Sequence, residues 1–222
     1  MIRRSLFILL LSLLPLSAFA QPMAAGYREG VDFITLPAPQ PPYAAGKIEV
    51  AEVFSYACVH CFTFQPMVNK WKKTMAKDVR WEYVPAAFGG PFDQFARAYF
   101  AAQLMGVQEK THDAVFKGVF TDKLVKQGTP EEVADLYARF GVDRAKFLAT
   151  MAGNDVKAKM AKARDFAMRS GVESTPTLIV NGKYRVLGRT ETGFDGMLKT
   201  AEFLVQRERE LAVKAAKAAK KK

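Results

Sequence analysis

Cys58 and Cys61 are the only cysteines in 222 residues, and Val59 and His60 separate them in the stretch VAEVFSYACVHCFTFQP. An apolar run precedes the pair and helical spacing follows it. The first sulfur therefore falls at a helix N-terminus, where unpaired backbone N–H groups and the helix dipole favour negative charge. Cys58 is expected to be the exposed, acidic thiol, and Cys61, almost a turn further in, the partly buried one that resolves. A protonated His60 close to Cys58 would favour the thiolate further. A structural cross-link gains by closing a long loop, and this loop is minimal. Zinc wants four ligands, and beside the two cysteines the chain has only His60 and His112. No metal is expected, and the pair reads as a redox dithiol. If the reduced state is stabilised by a Cys58 thiolate, the closed disulfide is the high-energy state and is handed on to other proteins.

A second position belongs with this chemistry. Glu52 interrupts the apolar run IEVAEVF six residues before Cys58. Burial would raise its pKa and equip it to exchange protons with Cys61 through water. Strand alternation puts Glu49 and Glu52 on opposite faces, and a surface carboxylate is the competing reading. His112 reads as a packing or helix-surface residue.

The elements that must hold these residues follow from the patterning. A short extended piece and a Pro-rich turn lead to a strand over 48–56, rich in β-branched and aromatic residues. Helical spacing begins at Val59, with Phe62, Val68, Trp71 and Met75 on one face and Pro66 inside, where it removes a hydrogen bond. VRWEYVPAAF is a second strand, ended by Gly89-Gly90-Pro91. Four helical segments follow; Thr129, Pro130 and Glu132 mark one start as cap, first position and capping box. A longer helix from Asp155 to Arg169 closes at Gly171. TPTLIVNGKYRVLG is a hairpin turning at Asn181-Gly182, and an amphipathic helix covers about Phe194 to Leu211. The order fits a split α/β unit, over 21–92 and 155–211, carrying a helical insertion over 93–154.

The ends of the chain carry a different signal. Arg3 and Arg4, the apolar run from Leu6 to Leu14 and the small residues Ala18 and Ala20 have the layout of a secretory signal cleaved after Ala20. That run is too short to cross a bilayer, and no later stretch is long and apolar enough for stable membrane insertion. The formal charge of +11 falls to +9 without Arg3 and Arg4, and to +4 without the five lysines of the tail at 212–222. The excess is thus read as a solvated, flexible end, with transient contact with anionic lipids as the alternative. The body shows no basic-aromatic stripe, so nucleic-acid binding is not expected.

EVFSYACVHCFTFQP and GVESTPTLIVNGKY, with the helical insertion between them, resemble the DsbA family of periplasmic thiol:disulfide oxidoreductases. The likeness covers nearly all of the chain after residue 20. It implies a thioredoxin-like α/β fold with an inserted helical domain and a periplasmic location. It implies that Cys58 is the nucleophile that forms the mixed disulfide, that Cys61 resolves it, and that Val59 and His60 tune the potential. Thr175-Pro176 matches the family's cis-proline dipeptide, whose turned backbone can pair with an extended substrate strand beside Cys58; an ordinary trans proline opening a strand is the alternative. The family has an acid at Glu52, but its type members surround that acid with a Glu and a Lys where Gln65 and Glu82 stand here. Implied partners are reduced exported proteins and a DsbB-like membrane quinone reductase as reoxidant; no cofactor is needed, and a monomer is expected. A thiol reductase, an isomerase, and a non-catalytic chaperone or binding module are the competing readings. An isomerase would normally carry a dimerisation domain ahead of the redox domain, and the span from Gln21 to the first strand is too short for one.

Overall fold

The computed structural model describes residues 26–220; the leader expected over 1–20 lies outside them. Five strands make one sheet: β1 (Phe33–Thr35), β2 (Ile48–Phe54), β3 (Val79–Pro85), β4 (Thr177–Val180) and β5 (Tyr184–Val186), in the order β1-β5-β4-β2-β3. β2 and β3 are parallel, and every other pairing is antiparallel. A parallel pair needs a crossover, and α1 (Val59–Thr74) supplies it.

Strand β2 is covered on both sides. In β2 and β3 the paired residues Val50 and Trp81, Glu52 and Tyr83 share one face, and Glu49, Ala51, Arg80 and Glu82 the other. Trp81 packs against Phe64 and Trp71 of α1, so Glu52 lies on the α1 side. On the opposite side, Tyr43 stacks edge-on against Phe166 of α6 (Asn154–Arg169). Both glutamates are buried, one on each face. Glu49 is satisfied by the backbone N–H groups of Tyr43 and Ala44 at 2.6 and 2.7 Å and by Arg80 at 3.2 Å.

Between β3 and α6 lie four helices: α2 (Gly90–Leu104), α3 (Gln108–Phe120), α4 (Pro130–Ala138) and α5 (Arg144–Ala152). Their inner faces are mainly apolar, with Phe95, Phe100, Phe116, Leu136, Tyr137, Phe147 and Met151 buried, and Thr111 and His112 of α3 buried among them. Thr129 caps α4 through Glu132 N–H, as its sequence suggests.

Four element bounds differ from the sequence expectation, the first being β3, which stops at Pro85 rather than running through Phe88. β2 stops at Phe54 rather than Tyr56, because Cys58 N–H bonds back to Ser55 C=O at 3.0 Å and turns the chain into α1. The β4–β5 turn holds three residues between paired Val180 and Tyr184. Asn181 and Gly182 have φ of 52° and 65°, and Lys183 N–H closes onto Val180 C=O. The last helix, α7 (Gly193–Ala219), runs well past Leu211. The Lys/Ala segment is therefore helical through Ala219 rather than a flexible end, since Ala and Lys are among the best helix formers.

Candidate active site

The end of β2 delivers the chain to the N-terminus of α1, and Cys58 is the capping residue of that helix (φ −99°, ψ 113°). Its Sγ accepts the Cys61 backbone N–H at 3.3 Å. As a thiol it donates to the Thr175 carbonyl at 3.2 Å, across from the loop that leads into β4. The Thr175–Pro176 bond is cis. Cys58 keeps 8% of its surface exposed and Cys61 none.

These surroundings separate the two sulfurs. The Cys61 thiol donating to Cys58 holds the Cys58 pKa down at about 5; burial opposes it, and Thr175 and the backbone N–H groups of Cys61 and His60 reinforce it. Burial pushes Cys61 far up, and the neighbouring sulfur and Glu52 add to the effect. Both cysteines are free thiols in this structure.

Glu52 reaches the same region from below. It is 1% exposed, and its Oε2 has no hydrogen-bond partner. Burial lifts its pKa to about 8; the Cys58 charge acts in the same direction, and Lys72 opposes it. Gln65 stands on the same side and exchanges hydrogen bonds with Tyr83 Oη at 2.9 and 3.2 Å. Glu82 does not: its register partner is Ala51, which leaves the opposite face of the sheet. The cation near Glu52 is instead Lys72, whose Nζ lies 5.0 Å over the Tyr83 ring. Cys61, Gln65, Val68 and Lys72 follow at steps of four, three and four, one face of a helix. That spacing was the available signal for Lys72, which sequence reasoning passed over.

The remaining expected residues sort clearly. Val59 is exposed beside Cys58. The His60 ring is also exposed and makes no hydrogen bond among the described residues, so the residue acts on Cys58 through its backbone N–H. His112 is buried, with Nδ1 2.7 Å from Tyr56 Oη. It belongs to packing rather than to the redox pair.

Comparison with known proteins gives this geometry relatives. A thioredoxin family model matches residues 44–200. The thiol:disulfide interchange protein DsbA of Pseudomonas aeruginosa is 38% identical over 191 residues, 86% of this chain and 90% of that one. The crystal structure of DsbA from Xylella fastidiosa superposes with a TM-score of 0.78 at 40% identity, over 83% of this chain and 98% of that one. The oxidoreductase NmDsbA1 of Neisseria meningitidis does so with 0.72 at 26% identity, over 85% and 97%. The chain belongs to the DsbA family. It is a thiol:disulfide oxidoreductase with the thioredoxin-like fold, and the helices between β3 and α6 are those of a DsbA. The DsbA resemblance drawn from the two cysteine and proline segments thus extends to the whole architecture. Among the described residues no helix is long and apolar enough to cross a membrane.

Proposed function

We propose that the protein is a periplasmic dithiol oxidase that donates the Cys58–Cys61 disulfide to reduced exported proteins, with Cys58 as the sulfur of the mixed disulfide. One observation carries the direction of transfer: within one motif the two sulfurs differ sharply in acidity, Cys58 near 5 and Cys61 driven upward by burial. A sulfur that is stable as a thiolate is a good leaving group, so the reduced pair lies low and the closed disulfide is a strong donor.

The steps balance as follows. A substrate thiolate attacks Cys58 Sγ; the Cys58–Cys61 bond breaks and its electron pair goes to Cys61. That sulfur takes a proton, and Glu52, neutral below about pH 8, is the nearby donor. A second substrate thiolate then attacks the substrate sulfur of the mixed disulfide, and Cys58 leaves as a thiolate. The substrate has lost two electrons and the enzyme has gained them. A DsbB-like quinone reductase of the inner membrane is the proposed acceptor in the next cycle.

Substrate docking is assigned to Thr175 and Pro176 with Val59. The Thr175 carbonyl, 3.2 Å from Cys58 Sγ, is relieved of its donor when Cys58 ionises and can then pair with an extended peptide. Val59 supplies exposed apolar surface at the same mouth. A location in the periplasm is supported by the leader pattern of residues 1–20 and by the DsbA relatives.

Equilibration with glutathione buffers, reading the oxidised fraction, tests the direction. The expected midpoint is more oxidising than about −180 mV. A midpoint near the roughly −270 mV of thioredoxin would make the protein a reductase.

A further inference from the structure

Helix α7 outruns the body on which it packs. Glu208 is its last buried residue, and residues 210–220 are all exposed, about 16 Å of helix at 1.5 Å per residue. Beyond Glu210 the sequence LAVKAAKAAKKK has five lysines and no acid. Lys214, Lys217 and Lys220 recur at three-residue steps and so share an arc of about 120°. Among the described residues no salt bridge engages these three. Val213 lies within the arc and Leu211 about 60° beyond its edge, with apolar side chains 54% and 42% exposed.

The root of this extension is fixed. Arg209 holds Asp78 through Nε and Nη2 at 2.7 and 2.8 Å. Asp78 immediately precedes β3, whereas Cys58 follows the far end of the parallel strand β2. The seven residues of β3 separate the two ends, about 23 Å at 3.3 Å per residue. The basic end and the redox pair therefore occupy opposite poles of the sheet.

We propose that the end of α7 docks on an anionic phospholipid bilayer, with the lysine arc on the headgroups, Leu211 and Val213 at the acyl boundary, and Cys58 facing away into the aqueous phase. Charge complementarity selects the partner: clustered lysines with two apolar residues on the same half of a helix suit a negatively charged leaflet. No aromatic residue follows Phe203, so the segment offers no stacking surface for single-stranded nucleic acid. The contact is peripheral and reversible, and the stems of the lysines can lie along the interface while their heads stay wet.

The test is co-sedimentation of the protein, leader removed, with vesicles of zwitterionic lipid containing about a third phosphatidylglycerol. Binding is expected at about 0.02 M salt and is expected to vanish near 1 M, where the screening length is only ~3 Å. Purely zwitterionic vesicles should not bind. Replacing Lys214, Lys217, Lys220, Lys221 and Lys222 by Gln should weaken partitioning at least ~100-fold, as should truncation after Glu210. Oxidation of a soluble dithiol peptide should proceed unchanged on the vesicles. Equal sedimentation of the truncated chain, or binding to duplex DNA as tight as to the vesicles, would overturn the assignment. Loss of peptide oxidation on binding would overturn the orientation. Sedimentation needs no redox activity, so its failure is distinct from failure of the oxidase reading.

Discussion

At position 58 burial and hydrogen bonding pull the sulfur in opposite directions, and the hydrogen bonds win. The thiol of Cys61, the Thr175 side chain and two backbone N–H groups lower its pKa from 9.0 to about 5 against the desolvation that would raise it. A group with a depressed pKa adds stability that is complete above its unfolded value and is lost as pH falls through its folded one. At pH 7 this favours the reduced fold by ~3 kcal/mol. The oxidised protein has no such thiolate. Urea unfolding of both forms should therefore show the reduced one more stable at pH 7, with the gap shrinking as pH falls from 7 and nearly gone by about pH 5. A gap that is absent, or the same at pH 3 as at pH 7, would remove the driving force for disulfide donation. Glu52 has the reverse sign. Its pKa rises from 4.5 to about 8, so its contribution is present below 4.5 and is lost as pH rises through 8. Glu52→Gln has no charge to bury and should be ~2–4 kcal/mol more stable than the parent at pH 9, with little difference near pH 4. If Glu52 supplies the proton to Cys61, the variant should also form the mixed disulfide more slowly and lose any inflection near pH 8 in that rate. A rate profile identical to the parent's would take Glu52 out of the relay.

At the scale of elements, local pattern carried most of the information. The redox helix, its cysteines, the start of the second strand and the place of the Asn181-Gly182 turn follow from spacing and residue type, whereas the end of that strand and the length of that turn do not. Covering of both sheet faces does not, because it depends on helices far along the chain; that is why Glu49 turned out as buried as Glu52. The same holds for Thr175, which lies 117 residues from the sulfur it touches. The His60 ring points into solvent because the first turn of α1 carries its side chain outward, which no composition argument reveals. The hairpin shows how a local feature acquires a tertiary reason. Gly182 has φ of 65°, and a Cβ there would stand 2.1 Å from the Gln40 carbonyl oxygen, a backbone atom that cannot swing aside. Gln40 N–H in turn donates to Gly182 C=O at 2.9 Å. Gly182→Ala should therefore cost at least ~1–3 kcal/mol in thermal or urea unfolding. An effect within ~0.5 kcal/mol would mean the turn relaxes freely.

At the scale of the whole molecule, the helices between β3 and α6 have to be fastened to the strand-to-helix corner that presents Cys58, and His112 of α3 is the fastening. Its ring lies 4.2 Å from that of Tyr83 and 5.3 Å from that of Phe54, and Nδ1 is 2.7 Å from Tyr56 Oη, two residues before Cys58. Burial lowers its pKa from 6.5 to about 3, with Lys72 adding to the effect. The folded protein thus keeps the imidazole neutral where the unfolded chain would charge it. A base with a depressed pKa draws stability down as pH falls below 6.5, by ~3 kcal/mol at pH 4. His112→Phe keeps an aromatic ring in the cage but leaves Tyr56 without its acceptor. The variant should be less stable at pH 7 by ~1–3 kcal/mol. Between pH 7 and pH 4, however, it should lose ~3 kcal/mol less than the parent. The comparison belongs in the oxidised protein, where no Cys58 thiol titrates, and the difference between parent and variant cancels the contribution of Glu52. If both proteins lose the same stability over that interval, His112 is not held neutral, and the helical block is fastened to the redox corner by packing alone.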